Sequence, residues 1–368
     1  MSNNLAIIGA SYFQLPLIEK AKEMGYTTHV FAWAVGDVGE KAADYFYPIS
    51  IVEKEEILAK CREIDICGIC SIASDLAMVT VNYVAEQLGL VGNSTKATAK
   101  STNKHLMRKA FEENGDPSPR SIMVDKNTDL DALELTYPVI VKPTDRSGSR
   151  GIFKLSEPSG LAEAVSSAMA QGFEKKALVE EFAEGQEYSV EFISYQGNHH
   201  FLALTHKYTT GAPHFIETGH LQPAPVSGET LERVKRVVAH ALDSLELKNG
   251  ASHSELKIAE DGTIRLIEIG GRMGGDCIGS DLVRYSTGYD FVRMVVQVAC
   301  GEEPVLEKVY DPHPVAVRFI FTNEDLEAYH KMQKEEPERI LKVVDMHPEN
   351  IGAITDSSNR AGCYIYRP

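Results

Sequence analysis

Short apolar runs alternate with amphipathic stretches through the first hundred residues. Leu5-Ala6-Ile7-Ile8-Gly9 stops at a glycine turn, and a helical pattern over about residues 14–24 follows and ends at Gly25. The same periodicity predicts strands over 27–32 and 64–72, with helices over 53–63 and 77–88. This βαβαβ order implies a parallel, doubly wound sheet. A glycine turn at a helix N-terminus can hold an anion. The turn Gly9-Ala10-Ser11-Tyr12-Phe13-Gln14 nevertheless lacks the second and third glycines of the dinucleotide fingerprint, and Ala32-Trp33-Ala34 stands where an acid should follow the second strand. Dinucleotide binding is therefore not expected.

The pattern changes at Ser101. Ser101, Thr102 and Asn103 are candidate caps for a helix that carries Leu106, Met107, Ala110 and Phe111 on one face and ends near Asn114-Gly115. Asp116-Pro117-Ser118-Pro119 reads as a linker. Beyond it come a strand ending at Lys142, a glycine and serine loop, a helix over about 161–171, and strands over 177–182, 188–195 and 200–206. The tail adds a strand over 315–321 and a charged helix over about 323–335. The expected organisation is three parts: 1–100, 101–300 with a small lobe at about 118–185, and a tail over 301–368.

Composition narrows the class of protein. At 368 residues the chain is long enough for two or three cores, and its formal charge of −16 repels phosphate backbones and anionic lipid. No nucleic-acid or membrane partner is expected, and a cytoplasmic location is. The six cysteines are scattered and read as reduced; Cys67 and Cys70 fall in an apolar strand pattern, as small core residues.

The most informative segment is a hairpin. Ser252 to Ala259 and Thr263 to Ile269 are strand-like runs joined by Glu260-Asp261-Gly262, and Asp-Gly is a strong two-residue turn signal. With Asp261 and Gly262 as the loop, Glu255 lies directly across from Glu268, and Leu256, Ile258, Ile267 and Ile269 point into a core. Opposed side chains have Cβ atoms about 4.5–5.5 Å apart, and like charges there need neutralising. A hard divalent cation does so, although two solvated glutamates, or one paired with Lys257, would satisfy the same pattern.

The flanks favour the cation. Gly270-Gly271-Arg272-Met273-Gly274-Gly275-Asp276 follows at once, an arginine among glycines whose amides suit an anionic oxygen. Magnesium prefers few carboxylates plus phosphate oxygens, so the pair points to a nucleoside triphosphate with magnesium, or manganese in its place. Lys104 in a first helical turn, Lys142 at a strand end, the loop Asp145 to Gly151 and the acids Glu180 to Glu187 fit the same ligand. The spacing is not that of a P-loop. The polar and aromatic stretch 206–225 contains Glu217 and His220, candidates for recognising an amine or acting as a base, with a structural loop as the alternative.

In this order, the motifs over roughly residues 5 to 300 resemble the ATP-grasp superfamily, specifically its carboxylate–amine ligases. The resemblance implies an N-terminal doubly wound domain followed by a two-lobed ATP-grasp domain, with ATP between two antiparallel sheets. It implies that Lys104 and Lys142 contact phosphates, and that Ser147, Gly148, Ser149 and Gly151 form a phosphate lid. Glu180 and the backbone of Glu181 and Ala183 would meet the adenine edge, and Glu187 the ribose. Glu255 and Glu268 match the metal-binding acids. Arg272, with Gly274 and Gly275, would hold the substrate carboxylate. Gly270 replaces the usual asparagine of E-x-N-x-R, so the resemblance carries over the bridging pair but not a second magnesium. The implied reaction joins a small carboxylic acid to an amine through an acyl phosphate, releasing ADP and phosphate. A carboxylase or carbamoyl-phosphate-type enzyme using bicarbonate, and a nucleotide-binding module without turnover, remain alternatives. A homodimer through an exposed face of the first domain is left open.

Overall fold

A computed structural model describes residues 2–146, 151–211, 216–352 and 360–368. The N-terminal part runs β1 (Asn4–Ile8), α1 (Leu15–Glu23), β2 (Thr27–Phe31), α2 (Val38–Ala42), β3 (Tyr45–Tyr47), α3 (Lys54–Ile64), β4 (Gly68–Cys70) and α4 (Asp75–Leu88). Its four strands lie in the order β3-β2-β1-β4, all parallel. Strand alternation sends Leu5 and Ile7 to one face, against Leu17 and Ile18, and Ala6 and Ile8 to the other, against Ile57, Leu58 and Val81. The strand expected over 64–72 is shorter than its apolar run. Helix α3 continues through Ile64, and Asp65 turns the chain in the left-handed region at φ 60° before β4 begins.

Next come α5 (Thr95–Thr102), α6 (Lys104–Asn114), β5 (Ser121–Val124), β6 (Val139–Pro143), β7 (Phe153–Leu155), α7 (Leu161–Gln171) and β8 (Ala177–Glu181). Asn103 caps α6 by accepting from the His105 and Leu106 amides, and Gly115 ends it at φ 75°. Met107, Ala110 and Phe111 are buried as the periodicity requires, but Leu106 is largely exposed. Strands β5-β8-β6-β7 form a small antiparallel sheet whose apolar face packs on α7 through Val139, Val141, Val165 and Ala168.

The remaining elements are β9 (Gln186–Tyr195), β10 (Asn198–Thr209), β11 (Glu217–Gln222), α8 (Gly228–Ser244), β12 (Gly250–Ile258), β13 (Ile264–Gly270), α9 (Val283–Thr287), α10 (Phe291–Ala299), β14 (Val315–Phe319), α11 (Asn323–Glu335), β15 (Ile340–Val344) and β16 (Cys363–Tyr366). They build one sheet of eight strands, β13-β12-β9-β10-β11-β14-β16-β15. Helices α6 and α8 cover one of its faces through Met107, Phe111, Val234, Val238 and Leu242. Helix α10 packs against the other while its Val295 and Val298 also close the first sheet. The tail strands β14 to β16 extend the large sheet past β11. This is the expected architecture: a parallel four-stranded sheet followed by two antiparallel sheets. Among the described residues no helix is long and apolar enough to cross a membrane.

Candidate active site

The hairpin brings Glu255 opposite Glu268 by a route the sequence did not predict. The turn has three residues, because Ala259 N donates to Thr263 O and Ile258 pairs with Ile264. Glu260, Asp261 and Gly262 form the loop, with Gly262 at φ 81° supplying the left-handed residue. That register alone would misalign the glutamates by one residue. A β-bulge between Glu255 and Leu256 absorbs Ile267 as an extra residue and restores the pairing of Glu255 with Glu268. Ile267 consequently lines the cleft instead of the core, where Leu266 takes its place.

Both carboxylates face a cleft of about 360 Å3. Lys104, at the start of α6, donates to Glu268 Oε1 at 2.8 Å and to the Arg146 carbonyl at 2.7 Å. Lys207 on β10 reaches Glu255 at 2.7 Å, Glu217 at 3.1 Å and Glu187 at 3.2 Å. Burial opposes the Lys207 charge, but Glu255, Glu217 and Glu187 outweigh it and hold the pKa well above the ordinary lysine value. Burial pushes the Glu187 carboxyl up, against the pull of Lys207. His253 bonds Glu191 through Nδ1 and lies 3.5 Å from Glu255 through Nε2. Burial disfavours its charge, yet Glu191 and Glu255 raise its pKa to about 9.

Arg272 is held by a residue from the first domain. Its Nε and Nη2 donate to the two Asp75 oxygens at 2.9 and 3.0 Å, a two-point clamp at the N-terminus of α4. A Cβ placed on Gly270 would lie 2.6 Å from Asp75 Oδ1 and 3.1 Å from Arg272 Nε. Asp75 thus fills the space toward which any side chain at 270 would point, which accounts for glycine there.

Lys104, Lys142, Glu187, Glu217, Glu255, Glu268, Arg272 and Gly275 line one cleft. The other expected residues among those described are engaged within the protein or lie away from this lining. Glu180 is enclosed between Lys142 Nζ at 2.6 Å and Arg108 Nε at 2.9 Å; it is a counter-ion below the cleft surface and not a free acceptor for adenine. The Glu181 amide already donates to the Arg120 carbonyl, leaving only its carbonyl for a ligand. The Gly274 amide donates to Glu191 Oε2 at 3.0 Å and is not available to a substrate. His220 is 1% exposed, packs edge-on against Phe319, and does not line the cleft. Ala183 is half-buried beside β8 and outside the cleft lining. Ser147, Gly148 and Ser149 lie outside the described residues, while Gly151 stands at φ 70° against Gln171 and Pro143.

Asp75, Arg108, Glu191, Lys207, His253 and Arg360 belong to the site or its supports without having been singled out. For some of these the signal was present. Glu187-x-Ser189-x-Glu191 and His253-x-Glu255-x-Lys257 place polar residues on one face of neighbouring strands, and Glu191 pairs with His253 and Ser189 with Glu255. Arg360 donates to Glu217 at 3.0 Å and Asp276 at 2.7 Å across far larger sequence separations, with no local pattern to mark it.

Two outcomes follow from these contacts. Asp75→Asn keeps the shape of the clamp but removes its charge, so the Arg272 guanidinium loses orientation. A small carboxylate held by Arg272 should then bind about 10–100-fold more weakly, and calorimetric titration of the variant against the wild type would check it. Burial also depresses the His220 pKa to about 3, below the ordinary value near 6.5. A buried neutral histidine stabilises the fold fully above that ordinary value and loses its contribution as pH falls toward 3. Melting temperature followed from pH 7 to 4 should fall less steeply in His220→Gln than in the wild type.

Comparison with known proteins agrees with this geometry. Residues 135–281 match the family model of the ATP-grasp domain. The chain is 27% identical over 309 residues to an alanine–anticapsin ligase of Bacillus subtilis, covering 74% of this chain and 65% of that protein. It is 28% identical over 212 residues to a D-alanine–D-alanine ligase of Geobacillus thermodenitrificans, covering 52% of this chain and 56% of that one. The chain thus spans less than two thirds of the length of both relatives. Its fold is similar to the crystal structure of an L-amino acid ligase from Bacillus licheniformis, with a TM-score of 0.84 at 24% identity over 99% of this chain and 92% of the other.

Proposed function

We propose that this chain, whose residues 135–281 match the ATP-grasp domain, is an ATP-dependent ligase that joins a small carboxylic acid, an amino acid among the candidates, to an amine. The observation that carries the reading is the pairing of Glu255 with Glu268 in a cleft that also holds Lys104, Lys142 and Arg272. Two like-charged carboxylates side by side need a cation between them, and each here is already drawn to a lysine.

Magnesium fits this donor set, because it takes few protein carboxylates and completes its shell with phosphate oxygens and water. Among the described residues no cluster of three or more acidic, histidine or cysteine side chains forms a ready-made metal site. Bound to Glu255 and Glu268, magnesium would neutralise charge on the transferred phosphoryl group.

The residues of the chain divide the remaining work. Lys104 and Lys142 hold phosphate oxygens of ATP while the substrate carboxylate oxygen attacks the terminal phosphorus and ADP leaves. Arg272, fixed by Asp75, orients that carboxylate and then faces the carbonyl oxygen of the acyl phosphate. The amine nitrogen attacks the carbonyl carbon, and phosphate departs as the amide forms. Charge on the tetrahedral oxygen is met by the same guanidinium. Glu217, between Lys207 and Arg360, faces the incoming ammonium group, which gives one proton to water before its nitrogen attacks and a second to the departing phosphate.

The test is a coupled ADP-release screen over pairs of amino acids and small carboxylic acids with magnesium. ADP should form only when acid, amine and metal are all present. Bicarbonate-dependent ADP release without an organic acid would replace this reading with a carboxylase. ATP binding without ADP from any pair would make the chain a non-catalytic module.

A further inference from the structure

The cleft continues past Ala73 and Ser74 into a second cavity of about 380 Å3, set at the C-terminal ends of β1, β2 and β4. In a doubly wound sheet this crevice is where ligands bind. Most of its polar side chains are used internally, and the buried Ser50 hydroxyl alone among those described in this wall has no hydrogen-bond partner. Gln14 accepts from the amide and hydroxyl of Ser11 and donates to the Ile72 carbonyl, closing the turn where a phosphate would otherwise sit. Asp37, the ionisable residue in the wall, is engaged in capping α2.

What remains is an apolar wall of Trp33, Val35, Ile51, Val52 and Leu76. Trp33 is the chain's only tryptophan and is 67% exposed, and Val35 beside it is 70% exposed. Large apolar side chains gathered at the mouth of one crevice mark a binding surface. Its position relative to Arg272 is equally specific. Ser74 lines both cavities, and the next residue, Asp75, is the one that clamps Arg272. A carboxylate held by Arg272 would lie in the cleft that shares Phe13, Ala73, Ser74 and Leu76 with the apolar chamber.

We infer that this chamber receives the side chain of the acid substrate, and that this side chain is apolar and bulky, aromatic or branched aliphatic. The assignment rests on the ligase reading for the identity of the acid. A charged side chain entering here would lose water and find little beyond the lone Ser50 hydroxyl to replace it.

The lone tryptophan provides a binding readout independent of turnover. The experiment titrates the full chain, with ATP and magnesium present, with phenylalanine, leucine and 3-phenylpropanoate, and with glycine and aspartate as small and charged counterparts. Trp33 fluorescence and ADP release with an amine panel are both followed. The apolar acids should give a saturable fluorescence change and a kcat/KM roughly tenfold or more above glycine and aspartate. Val35→Asp, and Val52→Asp as a second exposed variant, should raise the KM for the apolar acid at least about tenfold while the KM for ATP stays unchanged.

Turnover without a fluorescence response, or with an acid KM indifferent to both variants, would overturn the chamber assignment and leave the ligase reading standing. A saturable response confined to the apolar acids, with no ADP from any pair, would support an apolar-acid chamber and overturn the ligase reading. Equal responses to glycine and to the apolar acids would overturn the specificity claim. No response and no ADP from any of them would overturn both.

Discussion

Glu268→Gln is expected to lower ADP formation at least about a thousandfold while the chain stays folded. The substitution keeps the size of the side chain and removes its charge. It leaves a neutral amide oxygen in place of one of the two facing carboxylates and removes the charge that Lys104 meets at 2.8 Å. Lys104 retains the Arg146 carbonyl, and Glu268 opens onto a wet cleft, so the structural cost is moderate. Steady-state ADP release over a magnesium titration, with circular dichroism as the folding check, separates the two effects. A variant with wild-type activity would remove the metal assignment and with it the core of the proposed function.

Glu180→Gln should behave in the opposite way, costing about 3–5 kcal/mol of stability. Glu180, Arg108 and Lys142 are each at most 5% exposed at the side chain, and the single carboxylate serves both cations. Burial works to raise the Glu180 pKa, but Arg108 and Lys142 outweigh it and keep the carboxyl ionised. Neutralising it leaves two buried positive charges close together, and Lys142, whose pKa burial already lowers against the pull of Glu180, would shed its proton more readily. Chemical denaturation midpoints give the stability change, and the KM for ATP reports on Lys142. A variant that melts like the wild type but binds ATP poorly would return Glu180 to the role of an adenine contact.

These contrasts show how far local pattern reaches. Caps and periodicity located α6 from Asn103 to Gly115, because those signals act within one or two turns of chain. The apolar run from Leu5 likewise forms β1, buried on both faces. The hairpin is instructive in another way. Glu255 does face Glu268, but a three-residue turn and a bulge produce that pairing, and the extra residue, Ile267, moves from core to cleft. Turn chemistry is a local signal. A bulge is decided by what the strand must fit on both sides, here Arg108 of α6, which donates to the Ile267 carbonyl at 2.7 Å.

By itself the sequence determined the fold class, the main strands and helices of each part, and the set of cations and carboxylates from which a phosphate-handling site could be made. Each of those depends on spacing along the chain. Only the tertiary structure decided which charges meet: Asp75 with Arg272, 197 positions apart, Lys104 with Glu268, and Glu180 with two buried cations at once. A carboxylate reads the same in a sequence whether it faces solvent, a ligand or a buried lysine. Its chemistry comes from desolvation and from its nearest opposite charge, and both are set by how distant segments pack.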